Sequence, residues 1–85
     1  MKLKEGFVLR QVAGSWVVVA VGRTSVSFDG MLSLNDSGAL LWKALAEGKD
    51  PTAALMEEYE VSRQQAVRDV NEFLQTIRQA GCLEE

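Results

Sequence analysis

Eighty-five residues, 47% of them hydrophobic and 25% charged, suffice for one globular core and are too few for two. A net charge of −3, with nine scattered Lys and Arg, argues against a phosphate-backbone partner. One cysteine and no histidine exclude an internal disulfide and leave zinc sites, Ser/His/Asp triads and Cys/His pairs without their parts.

The longest apolar run, Trp16 to Val21, is six residues, against roughly 20 for a bilayer span, and the first residues lack a signal peptide's apolar stretch. The expectation is a single soluble, cytoplasmic domain over residues 1–85, with no membrane association, no metal and no cofactor. Cys82 sits in "QAGCLEE", which offers a thiolate no basic partner, so it reads as a small buried apolar residue.

In chain order, "FVLRQVAGSWVVVAV" predicts a β-hairpin. Phe7 to Val12 and Trp16 to Val21 are rich in β-branched and aromatic residues, and Ala13, Gly14 and Ser15 turn the chain. The first strand is mixed, with Phe7, Leu9 and Gln11 on one face and Val8, Arg10 and Val12 on the other. The second is apolar on both faces, as a central strand would be. Gly22 and Arg23 turn the chain again, and "TSVSFDGMLSL" predicts a third strand that breaks at Asp29–Gly30 and is best formed over Gly30 to Leu34. Leu32 and Leu34 then face the core, and Met31 and Ser33 face away. No later segment reads as a fourth strand, which leaves this one with a free backbone edge.

At Asn35 the apolar period changes from two to 3.6. Asn35 or Asp36 caps a helix over about Asp36 to Glu47, whose buried stripe is Gly38, Leu41, Trp42 and Leu45 and which Gly48 ends. Asp50–Pro51 starts a short second helix ending near Glu60, with Ala54, Leu55, Met56 and Tyr59 inward. Ser62 and Gln65 match a capping box, with Val61 as its hydrophobic staple. The third helix, about Arg63 to Ala80, buries Ala66, Val70, Phe73 and Ile77, with Val67 and Leu74 widening the stripe and Gly81 closing it. Its arginines at 63, 68 and 78 are interrupted by Asp69 and Glu72, a mixture typical of a solvated face. The order of three strands then three helices is α+β, and the second and third helices form a helix-turn-helix pair.

Two stretches carry a family likeness. "LNDSGALLW", Leu34 to Trp42, follows a pattern of strand, Leu-Asn, small or polar residues and an aliphatic helix. "DVNEFLQTIRQAGCL", Asp69 to Leu83, follows a final helix of Asp-Val, Phe-Leu, an aliphatic, then Gly and a closing aliphatic. In this order, over nearly the whole chain, they resemble the PqqD-like proteins, named for the small protein of pyrroloquinoline quinone biosynthesis and also called RiPP recognition elements. The resemblance implies a winged helix-turn-helix, a three-stranded antiparallel sheet followed by three helices. It also implies a function: to bind the leader segment of a ribosomally made precursor peptide and present it to a modifying enzyme, often a radical S-adenosylmethionine enzyme. The chain itself is then no enzyme.

In that family the leader adds as a strand to the edge of the third β-strand and packs against the third helix. Carried over, this points to Gly30, Met31, Leu32 and Ser33 on the edge and to Val67, Asn71 and Leu74 on the helix flank. Two other readings compete. A winged-helix DNA-binding regulator shares the helix-turn-helix, but it needs a basic third helix that this chain lacks. A module whose free edge pairs with a second copy of itself, giving a homodimer, is compatible with the sequence.

Overall fold

The computed structural model describes residues 2–22 and 30–84. Among the described residues eight elements follow in order: β1 (Lys2–Leu3), β2 (Phe7–Val12), β3 (Ser15–Ala20), β4 (Met31–Leu34), α1 (Asp36–Ala46), α2 (Pro51–Glu58), α3 (Arg63–Gln79) and β5 (Leu83–Glu84). The expected three-stranded sheet is antiparallel in the order β2-β3-β4, with the doubly apolar strand at its centre. Three helices follow it, so the α+β architecture stands. Residues 23–29, and with them Arg23 and the first half of the expected third strand, lie outside the described residues.

The hairpin turn is Ala13–Gly14, flanked by the pair Val12 and Ser15, and both central residues have positive φ, +52° and +83°. Two left-handed residues make a type I′ turn, whose twist matches the strands that it joins. Gly14 adopts this at no steric cost, whereas the Cβ of Ala13 meets its carbonyl there at a cost of roughly 1–2 kcal/mol. Ala13 is exposed and packs on nothing that would be lost. Ala13→Asn is therefore expected to stabilise the domain by about 0.5–1 kcal/mol, read as a higher urea midpoint at unchanged slope.

All three helix starts are capped as expected. Asn35 Oδ1 accepts from the Gly38 amide at 2.8 Å, Asp50 Oδ1 from Thr52 at 3.0 Å, and Ser62 Oγ from Gln65 at 3.1 Å. The capping box is only half made, because the Gln65 side chain turns forward and donates to Asp69 Oδ1 at 2.7 Å. Both expected glycine stops hold as full Schellman motifs: Lys49 and Gly48 donate to Ala44 and Leu45, and Cys82 and Gly81 to Ile77 and Arg78. Gly81, at φ +84°, turns the chain so that Cys82 and Leu83 fold back into the core.

One face of the sheet and all three helices enclose the core. Val18 of β3 meets Leu41 and Trp42 of α1, Leu55 of α2, Ala66, Val70, Phe73 and Ile77 of α3, and Cys82 and Leu83 beyond. Burial pushes the Cys82 thiol above its ordinary value by desolvating the thiolate, which keeps it a protonated, apolar filler. At the rim, Lys43 Nζ lies 4.2 Å from the centroid of the Trp16 ring and pins α1 to the sheet.

Three expectations are corrected. A further strand exists after the helices: β5 pairs with β1 in a separate two-stranded ladder, supported by the Lys4 amide on the Cys82 carbonyl at 2.8 Å. Strands of two residues are too short to show a period of two. In α2 only Leu55 is buried, while Met56 and Tyr59 are exposed and the helix stops at Glu58, so that Tyr59 to Ser62 connect it to α3. Val67 is exposed too, and does not widen the α3 stripe.

Candidate functional site

The hydrogen-bond phase of the sheet decides what the edge of β4 offers. In an antiparallel pair, opposite residues alternate between exchanging hydrogen bonds and facing away. The two-residue turn makes Val12 and Ser15 an exchanging pair, so Arg10–Val17 and Val8–Val19 are exchanging pairs as well. The Val21 amide donates to the Gly6 carbonyl at 2.8 Å, which continues the same phase. Trp16 and Val18 therefore turn their backbone groups toward β4, where their partners are Leu34 and Leu32. It follows that Met31 and Ser33 direct their N–H and C=O groups outward, away from β3. Among the described residues no strand takes up that side, since β5 belongs to the other ladder.

Side chains along β4 alternate as expected: Met31 and Ser33 are exposed, Leu32 and Leu34 half-buried against the core. Gly30, exposed and at φ +103°, leads into the strand. Ser33 also lines a groove of about 460 Å³ between the end of β4 and α3. Its floor is apolar, formed by Leu34, Leu41, Leu55 and Phe73, and its far wall is the α3 row Asp69, Glu72 and Thr76. This volume falls within the range of ligand clefts, about 300–1,000 Å³.

Two local features shape the groove. Asn35, the α1 cap, stands at its rim, with Oδ1 also accepting from the Ser37 hydroxyl at 3.1 Å. Gly38 lets the first turn of α1 come close: a Cβ there would lie 3.1 Å from Asn35 Oδ1 and 3.3 Å from Leu34 Cβ. The opening stretch of the family likeness, Leu34 to Trp42, is thus the joint that holds the edge strand beside the helices.

The sequence-level site residues divide. Gly30 to Ser33 make up the first part of β4 and its approach: Met31 and Ser33 turn their backbone groups outward, Leu32 turns its own toward β3, and of the four Ser33 alone lines the groove. Val67 and Asn71 are exposed and Leu74 is half-buried on the core, and none of the three lines the groove. At 100° per residue, the buried row Ala66–Val70–Phe73–Ile77 has two flanks. Val67, Asn71 and Leu74 occupy one, and Asp69, Glu72 and Thr76 the other, which is the flank beside β4. Among the described residues no group of three or more metal-ligating side chains is gathered, and no helix is long and apolar enough to cross a membrane.

The family model of Coenzyme PQQ synthesis protein D (PqqD) matches residues 15–83, from β3 through the whole groove to β5. The chain belongs to the PqqD family. Two solved structures share its fold. "TbiB1 in Complex with the TbiA(beta) Leader Peptide" has a TM-score of 0.78 at 25% identity, covering 99% of this chain and 95% of that one. "Lasso peptide synthetase B1 complexed with the leader peptide" has a TM-score of 0.77 at 26% identity, covering 99% and 96%. No curated protein matches the chain. For this PqqD-family chain the likeness runs over nearly the full length of both partners, so β4, α1 and α3 all fall within it.

Proposed function

We propose that this PqqD-family domain binds the leader segment of a ribosomally synthesised precursor peptide as an added strand on β4 and presents it to a modifying enzyme. The observation that carries the reading is the outward phase of Met31 and Ser33 beside the groove of α3. It is supported by two full-length structural neighbours whose own complexes contain leader peptides. An extended guest satisfies the free edge while its alternate side chains enter the groove, the mode known as β-augmentation.

Magnitudes fit a carrier. Four edge hydrogen bonds at roughly 0.5–1.5 kcal/mol and two buried aliphatic side chains at about 1.5–3 kcal/mol give about 5–12 kcal/mol. Association and peptide ordering cost at least about 4 kcal/mol, which leaves affinities around micromolar at best. A domain that must hand on its cargo works well in that range. It acts as an adaptor, and bond-making belongs to the partner enzyme, for which a radical S-adenosylmethionine enzyme is one candidate class. The DNA-binding alternative is not favoured, because the α3 flank beside the edge carries Asp69 and Glu72.

The test is an NMR titration with the leader of a short precursor encoded beside this gene. Amide shifts at Gly30 to Ser33 and along the Asp69–Thr76 flank together are the expected result. Shifts confined to Arg63, Arg68 and Arg78, produced by duplex DNA and abolished by salt, would move the protein to the other class.

A further inference from the structure

The groove carries a charge that nothing among the described residues answers. Of the described residues lining it, the ionisable ones are Asp69 and Glu72, and none is a lysine or arginine. They stand three residues apart on one face of α3, where like charges disfavour the helix. Among the described residues the ion pairs join Lys2 to Glu84 and Lys49 to Glu47, and neither groove carboxylate has a cationic partner. Gln65 donates to one oxygen of Asp69 and so orients that carboxylate; among the described residues no side chain donates to its other oxygen. Thr76 does not spare its hydroxyl hydrogen for either carboxylate, since it donates back to the Glu72 carbonyl at 3.1 Å.

We propose that the segment bound in this groove carries a lysine or arginine that Asp69 and Glu72 hold together, two positions from an apolar residue that enters the floor of Leu34, Leu41 and Phe73. The inference rests on the β4 docking reading and adds the chemistry of the guest. Spacing follows from strand geometry: residues i and i+2 of an added strand share the helix-facing side. Charge complementarity follows from the lining, because a cation there gains two carboxylates and a carboxylate there meets two like charges. The apolar floor supplies contact area, and the acidic wall supplies selection and register.

A phage-displayed library of random ten-residue peptides, panned on the folded domain at low salt, reads this directly. Peptides retained by the native protein and lost on Ser33→Pro should be enriched in Lys or Arg two positions from an aliphatic or aromatic residue. The near-isosteric pair Asp69→Asn, Glu72→Gln should weaken the best such peptide about tenfold, the size of one charge-assisted bond. The pair Asp69→Lys, Glu72→Lys should turn the enrichment toward Asp and Glu. Circular dichroism of each variant confirms its fold, and the Asn/Gln pair serves if the lysine pair unfolds. Peptides that depend on Ser33 yet show no preference for charge would overturn this inference and leave the docking reading standing. If no retained peptide depended on Ser33, both would fall.

Discussion

Ser33→Pro is expected to remove leader binding by at least about tenfold while the domain stays folded, and Leu32→Pro to unfold or severely destabilise it. The two residues are adjacent on an edge strand and differ in which way their amides point. The Ser33 amide faces outward, so proline there deletes no bond to β3 and is tolerated as edge prolines are. What it deletes is a donor to the guest, and its ring crowds the approaching chain. One lost bond and the attendant crowding together exceed 1.4 kcal/mol, which is a factor of ten. The Leu32 amide faces Val18, so proline there removes a sheet bond worth about 1–3 kcal/mol and a half-buried side chain worth up to about 3 kcal/mol. For a domain whose total stability is on the order of 4–13 kcal/mol, that loss is large. Isothermal titration with the leader and urea unfolding separate the two quantities. Equal destabilisation by both prolines would mean that the bond phase, and with it the docking edge, is misassigned. Full leader affinity in a folded Ser33→Pro protein would show that the guest sits elsewhere. A homodimer formed through the same edge would also dissolve in this variant, and sedimentation would report it.

How far the sequence alone reaches is clearest at the joints. Asn35, Asp50 and Ser62 cap the three helices, and Gly48 and Gly81 end two of them, because a cap needs only a few neighbouring residues and its chemistry is written locally. The hairpin and the edge position of β4 were equally legible, from a doubly apolar second strand and the lack of a partner for the third. Gln65 shows the limit of local rules: Ser62 Oγ accepted its amide, but the side chain turned forward to donate to Asp69 one turn on, where the capping box would have it accept from the Ser62 amide. β1 and β5 carry no signal of their own, since each pair of residues becomes a strand only when tertiary folding brings the chain ends together. Which flank of α3 borders β4 was not legible for a different reason. Apolar periodicity locates the buried row of α3 and is silent on its two flanks. Which flank borders β4 depends on the side from which α1 and α2 lead the chain back to the sheet. The polar series Asp69, Glu72 and Thr76 was visible in the sequence as a row, but nothing in a linear pattern sets it beside Ser33.

The second large effect belongs to Ile77, and it tests whether the domain's stability and its binding can be varied apart. Ile77 is fully buried, and its carbonyl accepts the Cys82 amide at 2.9 Å in the motif that turns the chain back into the core. Ile77→Ala leaves that backbone bond intact and removes only methyl and methylene groups from a site that α3, β3 and the returning chain enclose. The expected loss is about 2–5 kcal/mol, the transfer of the missing atoms plus the cavity they leave. Val67→Ala, on an exposed side chain of the same helix, should change stability by no more than about 0.5 kcal/mol. Both are read from urea midpoints followed by circular dichroism. Below the unfolding transition, Ile77→Ala should still bind the leader within about twofold, because neither the outward groups of β4 nor the Asp69 row depends on the lost atoms. A loss of less than about 1 kcal/mol would show that the core closes around the gap. A large fall in affinity in the folded variant would show that the groove's shape is transmitted from the buried row, through Phe73, which belongs both to that row and to the floor where the guest is placed.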